Sequence, residues 1–214
     1  MTAPIKRTAR VRLFRNETLE RLSVIHPRTF AVFWAVALPL IGWVGWGAVN
    51  AWTGLALIAV GLLVWTLFEY AMHRYLFHLE TDLAPVRGLI YLMHGNHHAA
   101  PGDPLRGLMP LPASLPIAAT VWLALYGLAG AAGTWIFLGF MVGYVLYDVT
   151  HYACHQWSMD SRIGTMLKRH HMRHHFVNHD SNFAITAIWW DSVFGSRSHS
   201  ARRQRTTTAE GPVR

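Results

Sequence analysis

The sequence has almost no cysteine and little charge, and both shortages narrow what the protein can be. Its 214 residues include one cysteine, Cys154, which excludes an internal disulfide framework and a thiolate metal site. Charged residues make up 14% of the chain, against about 25% in an average soluble domain. The stretches 31–72 and 116–153 contain no lysine or arginine, so the net charge of +8 lies around apolar runs. That distribution argues against a nucleic-acid-binding protein.

Four apolar runs stand where the charge is missing, and each has about the length that crosses a bilayer. They cover roughly residues 30–49, 53–72, 114–130 and 134–153, and very short connections join them in two pairs. The pattern predicts an all-α integral membrane protein with four transmembrane helices arranged as two hairpins. Gly139 and Gly143 lie four apart in the last run and predict close helix packing there.

The distribution of lysine and arginine outside the apolar runs predicts how the two hairpins are oriented in the membrane. The N-terminus, the 73–113 connection and the segment after 153 fall on one side, and their positive charge predicts that this side is cytoplasmic. We expect a basic interfacial segment at 1–29, a membrane domain at 30–200 and a disordered tail at 201–214. The expected location is a bacterial inner membrane, or the endoplasmic reticulum in a eukaryote.

Ten of the fourteen histidines form four short clusters on the predicted cytoplasmic side. Imidazole is the commonest protein metal ligand, and ten are more than one ion can bind, so the clusters predict a helical, histidine-rich cap that holds two metals. His73 and His78 diverge on a regular α-helix; they either reach different ions or lie on a distorted helix. The predicted ligands are His73, His78, His94, His97, His98, His151, His155, His171, His174 and His175.

Glu69 and Asp148 are the only charged side chains within the four runs. Each lies about one helical turn before a histidine cluster, and carboxylates inside a membrane are usually functional or paired. Because metal-bound imidazoles commonly donate their second N–H to a carboxylate, we expect both acids to support ligands, with or without direct contact. The alternative is that they pair with Arg74 or Arg173.

Four histidines and the cysteine are not predicted to bind metal. His26, His170, His179 and His199 do not share the cluster spacing, and we expect packing or solvent-facing roles for them. His170 adjoins His171 and is the one that a small shift in register would make a ligand. Cys154 is interpreted as a neutral buried thiol.

With these motifs in place, the sequence resembles the fatty acid hydroxylase superfamily, and most of all the fatty acid 2-hydroxylases of sphingolipids. The resemblance rests on HRYLFH (73–78), HGNHH (94–98), YDVTHYACH (147–155), HHMRHHF (170–176) and NFAITAIWWDSVFGS (182–196). One departure is Ala184, where the family has glycine.

The resemblance implies the ten histidines as ligands of two iron ions, with zinc as a substitute in isolated protein. It implies hydroxylation of a lipid acyl chain at C2 with O2, at the end of a lateral apolar channel. Electrons are expected from a separate ferredoxin- or cytochrome-type partner, since no haem-binding domain precedes the first run. Candidate channel residues are Phe68, Tyr75, Phe77, Tyr144, Tyr147 and Tyr152.

Two alternatives remain open from the sequence. A sterol desaturase or carotenoid hydroxylase would share the histidine clusters, because the same metal site serves each of these reactions. A metal transporter or sensor would use cytoplasmic histidines without redox chemistry, but it would need polar residues along the runs, where only Glu69 and Asp148 occur.

Overall fold

The computed structural model describes residues 11–198, and the described part of the chain is helical without a β-strand. The first ten residues of the predicted interfacial segment and the predicted tail at 201–214 lie outside it. The α-helices are α1 (Glu17–Leu22), α2 (Pro27–Val44), α3 (Ala51–Ala71), α4 (Ala84–Ile90), α5 (Asn96–Ala99), α6 (Leu111–Ala129), α7 (Gly133–Gln156), α8 (Arg162–Phe176) and α9 (Trp189–Val193). Two π-helices, Met72–Phe77 and Tyr91–Gly95, precede or follow α-helices without a break.

The described part of the N-terminal segment is tied to the loop before α6. The buried Glu20 carboxylate accepts the backbone N–H groups of Leu13 and Phe14, and it lies 2.7 Å from the Arg106 guanidinium. Arg106 also donates to the Val11 carbonyl. These contacts fix residues 11–22 against the same loop that approaches the histidine clusters.

Three stretches of the described chain are long and apolar enough to cross a membrane: Pro27–Val44, Ala51–Phe77 and Leu111–Gln156. The sequence predicted four. The third stretch has 46 residues, because only a single 3₁₀ turn, Gly130–Ala132, separates α6 from α7. Gly130 has φ 58°, which glycine adopts without strain and which reverses the chain.

Helices α6 and α7 pack side by side in antiparallel directions. Gly133 lies against the Leu125 backbone at the turn, and Trp122 donates to the Thr134 hydroxyl one turn further from it. Ser114, near the start of α6, lines the same cavity as residues near the end of α7. The 46-residue stretch is therefore a helical hairpin.

Helices α3 and α7 pack closely because glycine residues lie at their interface. A Cβ built on Gly61 would collide with the Ile136 backbone, and one on Gly139 with the Ile58 backbone. A Cβ on Gly143 would collide with the Trp65 side chain. The close packing predicted for the glycine pair is confirmed, and α3 is the partner.

Apolar side chains cover the outside of these helices. Leu40, Leu63, Leu123 and Leu128 are among many large hydrophobic residues that face outward. A soluble protein rarely exposes such a surface, so the exposed residues fit contact with lipid chains and a multi-pass membrane protein.

Tryptophans and histidines occupy opposite ends of the helices. Trp43, Trp46 and Trp52 are exposed at the α2–α3 connection, and Trp135 at the start of α7 donates to the Gly45 carbonyl there. The histidine clusters follow the ends of α3 and α7, and α3 alone has 21 residues, or about 30 Å.

Candidate metal centre

The ten predicted ligands assemble into two groups of five imidazoles. Within each group every histidine offers one ring nitrogen, and these atoms lie within 4.8 Å of one another. The first group is His73, His78, His94, His98 and His174; the second is His97, His151, His155, His171 and His175.

A π-helix explains how His73 and His78 reach the same group. Residues Met72–Phe77 form this wider helix directly after α3. Its i→i+5 hydrogen bonding places residues five apart nearly above one another. Of the two alternatives that the spacing left open, the structure therefore has the distorted helix.

The HGNHH and HHMRHH clusters each serve both groups. On a helix, residues four apart share a face, whereas the residue just before the second of them points to a different side. His94 and His98 thus join the first group while His97 joins the second. Helix α8 divides its ligands in the opposite sense, as His171 and His175 join the second group and His174 joins the first.

Backbone carbonyls fix the tautomer of three histidines. The Nδ1–H of His73 donates to Phe183, that of His174 to Ser181 and that of His151 to Gly107. A neutral imidazole that donates through Nδ1 carries a lone pair on Nε2. Each of these Nε2 atoms faces the other nitrogens of its group, so the lone pairs converge.

The nitrogen spacing fits a metal cation. Neighbouring Nε2 atoms lie 2.8–3.1 Å apart in both groups. Two nitrogens that bind one ion at about 2.1 Å in perpendicular directions are separated by about 3 Å. The Nε2 atom of His78 is buried without a hydrogen bond, as a ligand atom would be. Convergent lone pairs at this distance repel one another unless a cation lies between them.

Burial keeps the imidazoles outside the membrane helices neutral. Desolvation, followed by the neighbouring histidines, lowers the pKa of His94, His97 and His171 well below the usual value. Desolvation likewise lowers the pKa of His98 to about 2 and that of His174 to about 3. A metal binds the deprotonated ring, so these shifts favour ligation.

Glu69 and Asp148 contact the loops beside the site, and neither hydrogen-bonds a histidine or an arginine in the part of the chain that the structure describes. Glu69 accepts the N–H groups of Ile185 and Thr186 at 2.7 and 2.9 Å, and the Thr186 hydroxyl. Asp148 accepts the Met109 N–H at 3.0 Å and the Tyr144 hydroxyl at 3.1 Å.

Each acid nevertheless reaches one ligand through a loop. Glu69 holds Ile185, two residues from the Phe183 carbonyl that orients His73. Asp148 holds Met109, two residues from the Gly107 carbonyl that orients His151. The two carboxylates therefore act on different groups.

Sequence reasoning missed Asp191, a fully buried carboxylate behind the first group. It accepts the N–H groups of Phe183 and Ala184, the Ser196 hydroxyl and the Nε2–H of His170. It thus anchors the segment that presents the Phe183 carbonyl. The one sequence signal for Asp191 is its position in the segment 182–196, which resembles the family's ending but does not by itself indicate a role for this residue.

The remaining histidines and the cysteine lie outside both groups. His170 bonds Asp191 at 2.8 Å, His26 caps α2, and the exposed His179 lies near the His98 ring without joining its group. His199 is outside the described residues. Cys154 is fully buried and free.

An apolar cavity lies between α3, α6 and α7. Of the predicted channel residues, Phe68, Phe77, Tyr144 and Tyr147 line it, whereas Tyr75 and Tyr152 do not. A second, more polar cavity shares Phe77, Met93, Met109 and Tyr147 with the first. Three of the predicted ligands, His94, His97 and His151, line this second cavity.

Apolar helices that carry two imidazole groups at one end define a membrane metalloprotein with histidine clusters. The profile of the fatty acid hydroxylase family matches residues 58–196. The chain belongs to this family of oxidoreductases.

Similar proteins include a dihydroceramide fatty acyl 2-hydroxylase of Arabidopsis thaliana, which is 37% identical over 78% of this chain and 74% of its own. The fatty acid 2-hydroxylase of Homo sapiens is 34% identical over 87% of this chain and 56% of its own. The visible hydroxylase domain of scs7p superposes with a TM-score of 0.81 at 31% identity, covering 87% of this chain and 72% of that one. These matches support the hydroxylase hypothesis over the desaturase and transporter alternatives.

Proposed function

We propose that the protein is a membrane-bound di-iron hydroxylase that converts a C–H bond of a lipid acyl chain, at C2, into C–OH. One O2, two electrons and two protons enter each turnover, and one oxygen atom leaves as water. The observation that carries this proposal is the pair of five-imidazole groups beside an apolar cavity.

The donor set supports iron as the working metal. Imidazole suits iron, zinc and other transition metals, but zinc has no redox chemistry. Iron, when bound, would supply O2 activation and cleavage of the C–H bond. The ten histidines would hold the two ions, while the carbonyls of Phe183, Ser181 and Gly107 orient three of the rings. Zinc in isolated protein would leave the fold intact and the reaction absent.

The two cavities support reaction near the head of the lipid. The acyl chain would lie in the apolar cavity between α3, α6 and α7, whose wall includes the packed rings of Trp65 and Tyr144. The head group then lies in the more polar cavity, whose wall includes Arg106 and Asn96. The first carbons of the chain pass the shared residues Phe77 and Tyr147, beside the predicted ligands, which favours C2 over a distal carbon.

The proposed topology has four crossings, with α6 and α7 as separate spans and the histidine cap in the cytoplasm. The hairpin of α6 and α7, the exposed tryptophans at the opposite end and the positive charge around the clusters support it. The proposed location is a bacterial inner membrane, or the endoplasmic reticulum if the source is eukaryotic. A separate ferredoxin- or cytochrome-type protein is the proposed electron donor.

The test is mass spectrometry of lipids from cells that express the chain, grown under ¹⁸O2. We expect lipid species heavier by one ¹⁸O atom, located at C2 by fragmentation. His174→Ala and His155→Ala remove one predicted ligand from each group and should abolish the product and lower bound iron. His26→Ala, outside both groups, is the control and should keep both. Products lighter by two hydrogens would favour a desaturase, and full turnover in either ligand variant would exclude the assigned site.

A further inference from the structure

A groove rich in arginine lies on the outer face of α8. Four arginines and no carboxylate are among the residues that line it: Arg162, Thr165, Met166, Arg169, His170, Arg173, Asn182, Ile188, Arg197 and Ser198. Within residues 11–198, Arg162, Arg169 and Arg197 make no ion pair, and all three are exposed.

Helix α8 has two faces with different chemistry. Arg162, Arg169 and Arg173 are seven and four residues apart, so they share one side of the helix. The ligands of the metal groups occupy the buried side, and His171 and His174 directly follow the groove residues His170 and Arg173. A helix with its side chains is about 10–12 Å across, so the groove lies roughly one helix width from both groups.

Asp191 bonds the groove residue His170, but within residues 11–198 it forms no ion pair with Arg162, Arg169 or Arg197. Its oxygens are engaged by the histidine, a hydroxyl and two backbone N–H groups. Arg197 donates to the uncharged Ser192 hydroxyl. Arg162, Arg169 and Arg197 therefore leave the groove positively charged in the part of the chain that the structure describes.

We propose that this groove docks an acidic electron-donor protein, which delivers single electrons across α8 to both groups. This inference rests on the proposed function, because each turnover consumes two electrons. Helix α8 lies outside the candidate membrane spans, so a water-soluble partner can approach it. Complementary charge speeds association and sets orientation, which suits a partner that must bind, transfer one electron and leave.

The experiment measures hydroxylation by the full chain in phosphatidylcholine nanodiscs, driven by a plant-type ferredoxin with its reductase and NADPH. The test variant is Arg162→Glu with Arg169→Glu. The control is Arg15→Glu with Arg87→Glu, two exposed arginines outside the groove that give the same change in net charge. We expect the KM for ferredoxin to rise about tenfold in the test variant. Added salt should raise the KM for ferredoxin more in the wild type than in the test variant. The control and the kcat at saturating ferredoxin should change little.

Dithionite-driven turnover separates docking from catalysis, because it bypasses the donor protein. It should be equal in wild type and test variant. An unchanged KM with intact dithionite turnover would overturn the docking proposal alone; absent dithionite turnover in the iron-loaded wild type would overturn the proposed function with it. A rise in KM that vanishes at high ferredoxin supports docking, whereas loss of binding to anionic vesicles without a change in KM would assign the groove to the membrane surface. Arg162→Gln with Arg169→Gln provides a milder variant if the charge reversal unfolds α8, and it should raise the KM less.

Discussion

Replacing Glu69 by glutamine should loosen one metal ion and leave the other in place. The carboxylate accepts three hydrogen bonds from Ile185 and Thr186, and the same segment presents the Phe183 carbonyl to His73. Glutamine keeps one acceptor oxygen but loses the charge. Each of the three bonds then weakens by about 1 kcal/mol, which makes about 3 kcal/mol the upper limit of the effect.

The loss in metal-binding free energy should be smaller than this limit, because Asp191 also anchors the segment that carries Phe183. Loss of an orienting partner of a ligand typically lowers metal affinity about 10–100-fold, or about 1.4–2.7 kcal/mol. That range lies within the limit set by the three bonds. We therefore expect a loss of this size at the group of His73, and no comparable loss at the group of His151.

The assay is metal content after dialysis against a graded series of chelator concentrations. Wild-type protein should release both ions only at a high chelator concentration. The Glu69→Gln variant should release one ion at a lower chelator concentration and the other at the wild-type concentration. Asp148→Asn is the matched comparison, because it should weaken the group of His151 instead.

Double variants identify which of the two histidine groups binds its metal more weakly in Glu69→Gln. Adding Glu69→Gln to His174→Ala should cost little more, since both changes affect the first group, whereas adding it to His155→Ala should affect both groups. Equal weakening of the two steps by Glu69→Gln, or full additivity with His174→Ala, would refute the link through the loop.

Three further predictions concern the helices, the cavity and the N-terminal segment. Gly61→Ala forces a Cβ into the backbone of α7 and should destabilise the protein by about 1–3 kcal/mol or more in thermal unfolding; Gly127→Ala, with open space around it, should not, and equal stability of the two would refute the packing. Ala118→Leu fills the buried wall of the apolar cavity and should shift the hydroxylated acyl chains toward shorter lengths in lipid mass spectrometry; the outward-facing Ala119→Leu should leave the profile unchanged. Burial opposes ionisation of Glu20, but the N–H groups of Phe14 and Leu13 together with the Arg106 guanidinium outweigh it and lower the pKa of Glu20 below the usual 4.5. The stability that this ion contributes is present above pH about 4.5 and lost as the pH falls through the lowered value; unfolding midpoints should show that loss in wild type and not in Glu20→Gln.

The sequence was sufficient to predict the helical class and the set of histidines that converge, because both depend on local spacing. Helical spacing also anticipates that His94 and His98 act together, but for His73 and His78 it leaves two alternatives open. Their shared group depends on a π-helix, whose wider turn has no sequence pattern comparable to the apolar period of an α-helix.

Long-range contacts set the other limit. The partners of Glu69 lie 116 and 117 residues away, so helix periodicity could place the acid near the cluster but could not identify what it binds. Asp191 escaped notice for a different reason. Its partners lie 5–21 residues away, but Phe183, Ala184 and Ser196 stand in irregular segments that have no helical period. The four predicted runs differ from the three candidate spans because the 3₁₀ turn at Gly130–Ala132 joins the last two runs without a polar interruption.

One pair of helices connects the apolar cavity to both imidazole groups. Helices α3 and α7 pack closely through Gly61 and Gly139, and side chains from both line the cavity. The end of α3 continues into the π-helix that carries His73 to the first group, while the end of α7 carries His151 to the second. Any change in the separation of α3 and α7 must therefore move the cavity wall and one ligand of each group together. On the proposed function, this shared framework would fix the distance between a bound acyl chain and the two groups, which is what regioselective attack on one carbon of a flexible chain requires.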